Sequence, residues 1–280
     1  MDVLHIDADE DHVTLCAGKH TIVPLISVYE GIEKTNKRGK CIQVFHISRY
    51  GKTSEQLWEE ALTQIEKRYD ISQARVYLHG DGASWIHTGV EYLPNCVLVL
   101  DRYHKNKALR QALCLLEEKS KKVYREKIFQ AWRSGDKERF QSLSAEIVSH
   151  GDNERNVVAK QLKYLSNHFE AIHICYTDAQ ATNGGASEPH VSHILSSRLS
   201  SRPMTWSRQT LEHFAPILAA KRFSFIKTFT PSCPLTKDKE KTKKLKAVPF
   251  SLGLADPDLA VALPARSGKV TPLFNALRFL

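Results

Sequence analysis

The sequence predicts a mixed α/β fold that carries a long α-helical insertion, and three features support this prediction. Alternating apolar and polar residues mark strands in residues 3–51. Short apolar runs then alternate with segments of helical periodicity as far as about residue 104. A strongly charged segment with apolar residues three and four apart follows, from residue 105 to about residue 180. We therefore expect a sheet whose strands are separated late in the chain by a helical block.

Residues 1–104 have the predicted order βββαβαβ and form the first part of the core. Turn-compatible residues separate the first three strands, which we expect to pair as an antiparallel meander: VLHIDADEDHVTLC, TIVPLISVYEG and CIQVFHISRYG. After them come the helix SEQLWEEALTQIEKRY, the strand ARVYLHGDG, the helix SWIHTGVEYL and the strand NCVLVLDRYH. The last strand is apolar enough to be buried on both faces.

Residues 105–180 are predicted to be a helical insertion, because so long a segment between core elements is seldom a loop. Gly135 should break its periodicity. Residues 181–220 are expected to return to the core, with a helix that opens at Glu188 and ends near Pro203. Residues 221–280 are Pro- and Lys-rich without periodicity, which predicts a basic tail that is disordered or contacts DNA.

The composition excludes several classes of protein. A chain of 280 residues with 42% hydrophobic content can bury a core of its own. No segment approaches the roughly 20 apolar residues of a membrane span, so we expect a soluble, cytoplasmic protein. The six cysteines have no Cys-x-x-Cys pair, which argues against a zinc ribbon. The net charge of +9 permits a polyanionic partner such as DNA.

The segment IDADEDHV places four acids near the start of this basic chain. Because side chains alternate along a strand, the two faces carry Leu4, Ile6 and Ala8 on one side and His5, Asp7 and Asp9 on the other. Carboxylates on one strand face repel one another unless a positive charge lies against them. A divalent cation would supply that charge, and an acidic turn or exposed hairpin end is the alternative.

Two further acids make the metal-site interpretation stronger. The predicted order of elements is the layout of a ribonuclease-H-like fold, in which an acid on the first strand, one at the tip of the fourth strand and one on the last helix meet at the sheet edge. Asp9, Asp81 and Glu188 occupy those positions. Such oxygen ligands hold one or two Mg²⁺ ions, with Mn²⁺ as an alternative. Asp7 competes with Asp9 as the first ligand, since both point the same way.

Each of these acids also has a simpler interpretation. Asp81 lies between two glycines, which is an ordinary turn sequence. Glu188 is an acid in the first turn of a predicted helix, where the helix dipole favours it.

Four blocks of the sequence resemble the ISLre-type bacterial insertion-sequence transposases, a branch of the DDE transposases: IDADEDHV, YLHGDGASWI, VLDRYHK and GGASEPHVSHILSSRLSSRPMTWS. The resemblance extends over roughly residues 2–214. It implies a ribonuclease-H-like catalytic core with a helical insertion between the second and third acids. It also implies that Asp9, Asp81 and Glu188 bind Mg²⁺. With this metal the protein would cut DNA at transposon ends and join those ends to target DNA, and its active form would be a homo-oligomer.

The resemblance brings further residues near the site. The DRYH segment is similar to an element that follows the second acid in related transposases, and it implies that Asp101 and His104 lie close to the metal. We place Asp7, His193 and Arg198 in the same group, expected to contact DNA or to support the metal ligands. Asp101 has the alternative role of capping the next helix, and His104 that of a structural histidine.

The chain departs from the resemblance at both ends. It begins at the first catalytic strand, whereas members of that family carry an earlier region expected to help bind transposon ends, so we expect an N-terminally truncated protein. The tail after residue 220 does not resemble the family's ending, which suggests a frameshifted or decayed segment or a DNA-contacting arm. The rival functions are a non-catalytic DNA-binding remnant and a structure-specific nuclease.

Overall fold

A computed structural model describes residues 2–35, 38–149, 155–182 and 184–220, and the predicted tail lies outside these ranges. Their strands are β1 (Val3–Thr14), β2 (His20–Tyr29), β3 (Gly31–Thr35), β4 (Arg38–Ile42), β5 (Phe45–Ile47), β6 (Arg75–Gly80) and β7 (Cys96–Leu100). Five of them form one sheet in the order β5-β2-β1-β6-β7, while β3 and β4 pair as a separate hairpin. The expected mixed α/β architecture is therefore confirmed.

The direction of the strands makes the central sheet mostly parallel. β1 pairs in parallel with β6, and β6 with β7. β2 runs antiparallel to both of its neighbours, β1 and β5. Four strands consequently point the same way, and the parallel strands β6 and β7 end on the same side of the sheet, next to the middle of β1.

The third strand of the expected meander differs from the prediction. The segment CIQVFHISRYG holds the end of β4 and the short β5 rather than one continuous strand. Gln43 separates the two with a positive φ of 50°, a conformation that interrupts a strand and that a side chain rarely adopts. The prediction of a single strand there was wrong, because alternation alone did not reveal the preceding hairpin.

The helices of the described residues are α1 (Ser54–Glu66), α2 (Ser84–Tyr92), α3 (Arg102–Ala112), α4 (Glu118–Ser134), α5 (Lys137–Ser149), α6 (Arg155–Asn167), α7 (Phe169–Thr177), α8 (Ser187–Val191), α9 (Ser197–Leu199) and α10 (Arg208–Ala220). A π-helical turn, Ser192–Ser196, joins α8 to α9. Gly135 ends α4 in the left-handed conformation, as its position predicted. None of the helices in these described ranges is both long enough and apolar enough to cross a bilayer.

The sheet and the helical block each have an apolar cluster of their own. The apolar face of β1 packs with α1 and α2, where Trp58 is fully buried. The helices α3–α7 surround a cluster of their own that includes Trp132 and Phe169. A third cluster joins the end of β1 to α8, α9 and α10 through Leu195 and Leu211. The opposite face of β1 therefore lies under the segment that carries Glu188.

Candidate metal centre

The acids of β1 lie on one face of a regular strand of 12 residues. Asp7 and Asp11 are almost completely buried, with 1% and 6% of their surfaces exposed, and Asp9 between them is partly exposed. The alternation predicted for this strand is confirmed, and the alternative of an acidic turn is wrong.

Three side chains from distant parts of the sequence converge beside β1. Asp9, His104 and Glu188 each offer a ligand atom, and these atoms lie within 4.8 Å of one another. They come from the middle of β1, the first turn of α3 and the first turn of α8. Two carboxylates and one imidazole in such a group are a donor set that divalent cations bind.

The imidazole of His104 has a nitrogen suited to a ligand role. Its Nε2 atom is buried and forms no hydrogen bond with any residue that the structure describes. Buried polar atoms nearly always have a partner, so one without a partner beside two carboxylates fits the binding of a metal ion. The residues of this group therefore fit a divalent cation.

The electrostatics of the site point the same way. Burial raises the pKa of Asp9 to about 6, and the negative charges of Asp81 and Glu188 add to the increase. A hydrogen bond from the Glu10 N–H to Oδ1 of Asp9 (2.8 Å) and the nearby His104 oppose the rise in this pKa. A bound cation would remove the repulsion between the carboxylates.

Asp81 lies close to this group without belonging to it. Its Oδ1 accepts a hydrogen bond from the Ala83 N–H (2.9 Å), as expected of a turn residue. Its carbonyl oxygen accepts one from the Tyr164 hydroxyl (2.6 Å), which comes from α6 of the helical block. Gly82 has a φ of 83°, and a Cβ there would collide with the ring of His168, so only glycine fits. Asp81 therefore has the hydrogen bond of a turn residue, and its charge acts on Asp9. Its role as a metal ligand stays a prediction.

Asp7, the competing first ligand, is engaged elsewhere. Its Oδ1 accepts hydrogen bonds from the Tyr29 hydroxyl (2.8 Å) and the Gly185 N–H (3.2 Å), and Oδ2 accepts one from the Ala186 N–H (2.8 Å). Burial opposes ionisation of Asp7, but His190 and the other neighbours outweigh it and lower the pKa of this carboxyl. Asp9, not Asp7, is the β1 acid in the group with His104 and Glu188.

Asp101 has the capping role that was its alternative. Its Oδ1 accepts a hydrogen bond from the Tyr103 N–H (2.7 Å), which caps α3, and its Oδ2 accepts one from the Ser187 hydroxyl (3.0 Å). His193 and Arg198 are exposed and do not belong to the candidate metal group. Their contact with DNA stays a prediction.

Asp11 is a residue that the sequence reasoning missed. Its Oδ1 accepts hydrogen bonds from the Ser196 and Ser200 hydroxyls, each at 2.8 Å. Its place two residues after Asp9 puts it on the same strand face, so the period of two contained this signal. Nothing in the local sequence indicated its serine partners.

Comparisons with known proteins place this chain in a family. The family model described as "Uncharacterised protein family (UPF0236)" matches residues 1–226. A UPF0236 protein of Caldanaerobacter subterraneus subsp. tengcongensis is 31% identical over 99% of this chain and 60% of its own length. Another from the same organism is 35% identical over 77% of this chain and 45% of its own length. A UPF0236 protein from Streptococcus gallolyticus is 23% identical over 79% of this chain and 50% of its own length.

The lengths of the relatives differ from that of this chain. The chain spans 60% or less of each of these three relatives. The alignment with the first relative covers 99% of the chain, so it includes most of residues 221–280.

Proposed function

The chain belongs to the uncharacterised protein family UPF0236, and from the geometry of its candidate metal centre we propose that it is the catalytic part of an ISLre-type DDE transposase. In this proposal it hydrolyses phosphodiester bonds at transposon ends and joins those ends to target DNA. The observation that carries the proposal is the meeting of Asp9 and Glu188 with His104, although their elements are far apart in the sequence.

The sheet supports a ribonuclease-H-like fold for this catalytic part. β1, β2 and β5 form an antiparallel set at one side, β6 pairs with β1 in parallel, and β7 pairs with β6 in parallel. Asp9 is on the first strand, Asp81 follows the fourth strand of the sheet, and Glu188 opens a late helix. These are the three places in which that fold carries its catalytic acids.

The residues of the site have separate roles in this proposal. Asp9, His104 and Glu188 would hold a divalent cation, and Asp81 lies where its charge reaches the same region. A divalent cation such as Mg²⁺ or Mn²⁺, if bound there, would supply activation of an attacking oxygen and stabilisation of a leaving oxygen at phosphorus. Because one ligand is a nitrogen, this site should favour Mn²⁺ over Mg²⁺ more than a site with oxygen ligands alone would. Asp81 is the first candidate to hold a second ion once DNA phosphate is present.

The proposed partner is DNA, and the proposed location of the protein is the cytoplasm. Lys and Arg contacts to phosphates give salt-dependent binding that does not read base sequence. Recognition of transposon ends requires side chains against base edges. Because the chain spans only part of its relatives' lengths, end recognition and homo-oligomer formation are proposed for the whole protein.

The test combines cleavage with metal binding. The purified chain is incubated with a supercoiled plasmid carrying the DNA that flanks its gene, with Mg²⁺, Mn²⁺ or a chelator. Mn²⁺ binding is measured separately by electron paramagnetic resonance. We expect metal-dependent nicking, and Glu188→Gln should reduce the rate by about a hundredfold or more, since such ligands supply several kcal/mol of stabilisation. Glu91→Gln, an exposed glutamate of α2, is the matched control.

The products distinguish the rival functions. Joined DNA products support a transposase, and cleavage without joining supports a structure-specific nuclease. DNA binding without Mn²⁺ binding or cleavage would contradict the proposal and favour the non-catalytic remnant.

A further inference from the structure

The chain immediately before Glu188 is fixed to β1 by a buried carboxylate. Asp7 accepts hydrogen bonds from the backbone N–H groups of Gly185 and Ala186, and the Tyr29 hydroxyl oxygen lies 3.1 Å from the same Gly185 nitrogen. Gly185 has a φ of 89°, which allows the backbone to turn toward the strand. Backbone donors bound to a buried carboxylate form strong, short contacts. The approach to Glu188 is therefore set by Asp7.

The chain after Glu188 is fixed to the same strand in the same way. The hydroxyls of Ser196 and Ser200 both donate to one oxygen of Asp11, which is 6% exposed. The two serines are four residues apart, so they lie on one side of a helical segment. The other oxygen of Asp11 is buried and makes no hydrogen bond within the described ranges. Asp11 thus joins β1 to the far end of the segment.

A third buried carboxylate joins the helix of Glu188 to the helix of His104. Asp101 caps α3, which carries His104, and it also accepts the hydroxyl of Ser187, the neighbour of Glu188. Its side chain is 3% exposed. One carboxylate therefore sets the start of both helices that bring ligand atoms to Asp9.

From these contacts we propose that Asp7, Asp11 and Asp101 are positioning residues that hold Glu188 and His104 against Asp9. The proposal rests on the proposed function only for its effect on metal binding. Asp7 and Asp11 are each two residues from Asp9, about 6.6 Å along the strand, so the attachments flank the ligand on both sides. Glu188 follows Ala186 by two residues just as Asp9 follows Asp7.

The physical need for such attachments comes from charge. The carboxylates of Asp9 and Glu188 lie close together, and without a cation they repel each other. The helical segment that α8 opens ends with α9 at Leu199 and is interrupted by a π-helical turn, so it has little stability of its own. Fixed contacts on either side keep Glu188 in place before the metal arrives, which makes the site preorganised.

Serine variants test the proposal without removing any buried charge. Ser187→Ala and the double variant Ser196→Ala/Ser200→Ala delete the donors, and Ser144→Ala in α5 is a control that loses a hydroxyl bond to a backbone carbonyl. All are made in the full 280-residue chain. Two readouts are taken: hydrogen exchange of the amides at 188–195 in metal-free protein, and the Kd for Mn²⁺.

The expected result is faster exchange at 188–195 in both serine variants and a Kd for Mn²⁺ about tenfold weaker, in the range for lost support of a metal ligand. The free energy of unfolding of the serine variants should fall no more than that of Ser144→Ala.

The two readouts separate the two proposals. Wild-type exchange at 188–195 in both serine variants would overturn the positioning proposal, whatever the metal result. Faster exchange with an unchanged Kd for Mn²⁺ would overturn its link to metal binding. A wild-type chain that binds no Mn²⁺ would instead contradict the proposed function, and hydrogen exchange would still decide whether the carboxylates hold the segment.

Discussion

The two faces of β1 have the same backbone and very different environments. On one face Leu4, Ile6 and Ala8 are fully buried and pack against helices that follow soon after in the sequence. On the other face Asp7 and Asp11 are buried and accept hydrogen bonds from residues beyond 184, and Asp7 accepts a further one from Tyr29. One face of β1 thus contributes to the apolar core of the sheet, and the other contributes Asp9 to the candidate metal centre.

The difference lies in what each face requires of its partners. An apolar face needs neighbours of suitable volume, and many side chains of similar size satisfy it. A buried carboxylate needs donors at hydrogen-bond distance, and losing one leaves a costly group without a partner. We therefore expect substitutions on the apolar face to change stability and substitutions of the acids on the other face to change metal binding. Four predictions concern these two faces and the contact between the helical block and Asp81, from the largest expected effect to the smallest.

The largest effect is expected for Asp9→Asn. Mn²⁺ at about a thousandfold its Kd should stabilise the wild-type chain by about 4.1 kcal/mol, and the variant should lose this stabilisation together with metal-dependent nicking. Without metal at pH 8 the variant should be at least as stable as the wild type. The reason is that the pKa of Asp9 is raised to about 6, so its ionised form opposes folding above that pH. Thermal unfolding with and without Mn²⁺ measures both effects.

The control for this variant is Asp2→Asn, which changes an exposed carboxylate just before β1. An Asp9→Asn chain that Mn²⁺ still stabilises as in the wild type would show that Asp9 is not a ligand.

Ile6→Ala tests the apolar face. We expect the free energy of unfolding to fall by about 2–4 kcal/mol, because the change leaves a cavity in a fully buried cluster. Urea denaturation measures it, and Ile22→Ala, at a side chain that is 40% exposed, should cost less than about 1 kcal/mol. The Kd for Mn²⁺ should stay near that of the wild type. A large loss of affinity would mean that the two faces are coupled.

The third prediction concerns the pH dependence of the polar face. Burial, with the nearby His79, lowers the pKa of His5 to about 4 from its ordinary 6.5, and burial also lowers the pKa of His79. Both rings stay neutral in the folded protein while the unfolded chain takes up protons. Stability is therefore full above about pH 6.5 and is lost as the pH falls toward 4.

Urea denaturation at pH 7 and pH 5 measures this loss. We expect the wild type to lose on the order of 1–2 kcal/mol, and His5→Gln to lose less. His20→Gln, at an exposed histidine, should keep the wild-type dependence. A His5→Gln chain with the full wild-type loss would exclude His5 as the source.

The smallest effect is expected for Tyr164→Phe, which removes the hydroxyl that the helical block donates to the carbonyl of Asp81. We expect the free energy of unfolding to fall by about 1 kcal/mol, the usual contribution of one hydrogen bond. Tyr103→Phe, at a side chain that is 48% exposed, is the matched control. A large fall in the nicking rate at a temperature where Tyr164→Phe is still folded would show that the helical block also aligns Asp81 for catalysis.

Several elements were predictable from sequence because local patterns determine them. Period-two alternation located β1 and its two faces, and Gly135 marked the end of α4. The hairpin of β3 and β4 was missed, since the break at Gln43 depends on a backbone angle that residue types do not reveal. The resemblance to transposases named Asp9 and Glu188 together, and the structure brings both into one group with His104.

By itself the sequence determined which residues share a face of β1, because the geometry of a strand is local and repeats every two residues. Strand geometry left Asp7 and Asp9 equivalent, as acids that point the same way, and it gave no role to Asp11 on the same face. Only the tertiary structure showed what each of the three acids contacts, through the hydrogen bonds between β1 and the segment around Glu188. Those hydrogen bonds join residues far apart in the chain. Asp7 and Asp11 therefore hold the segment, and Asp9 is left facing Glu188 and His104.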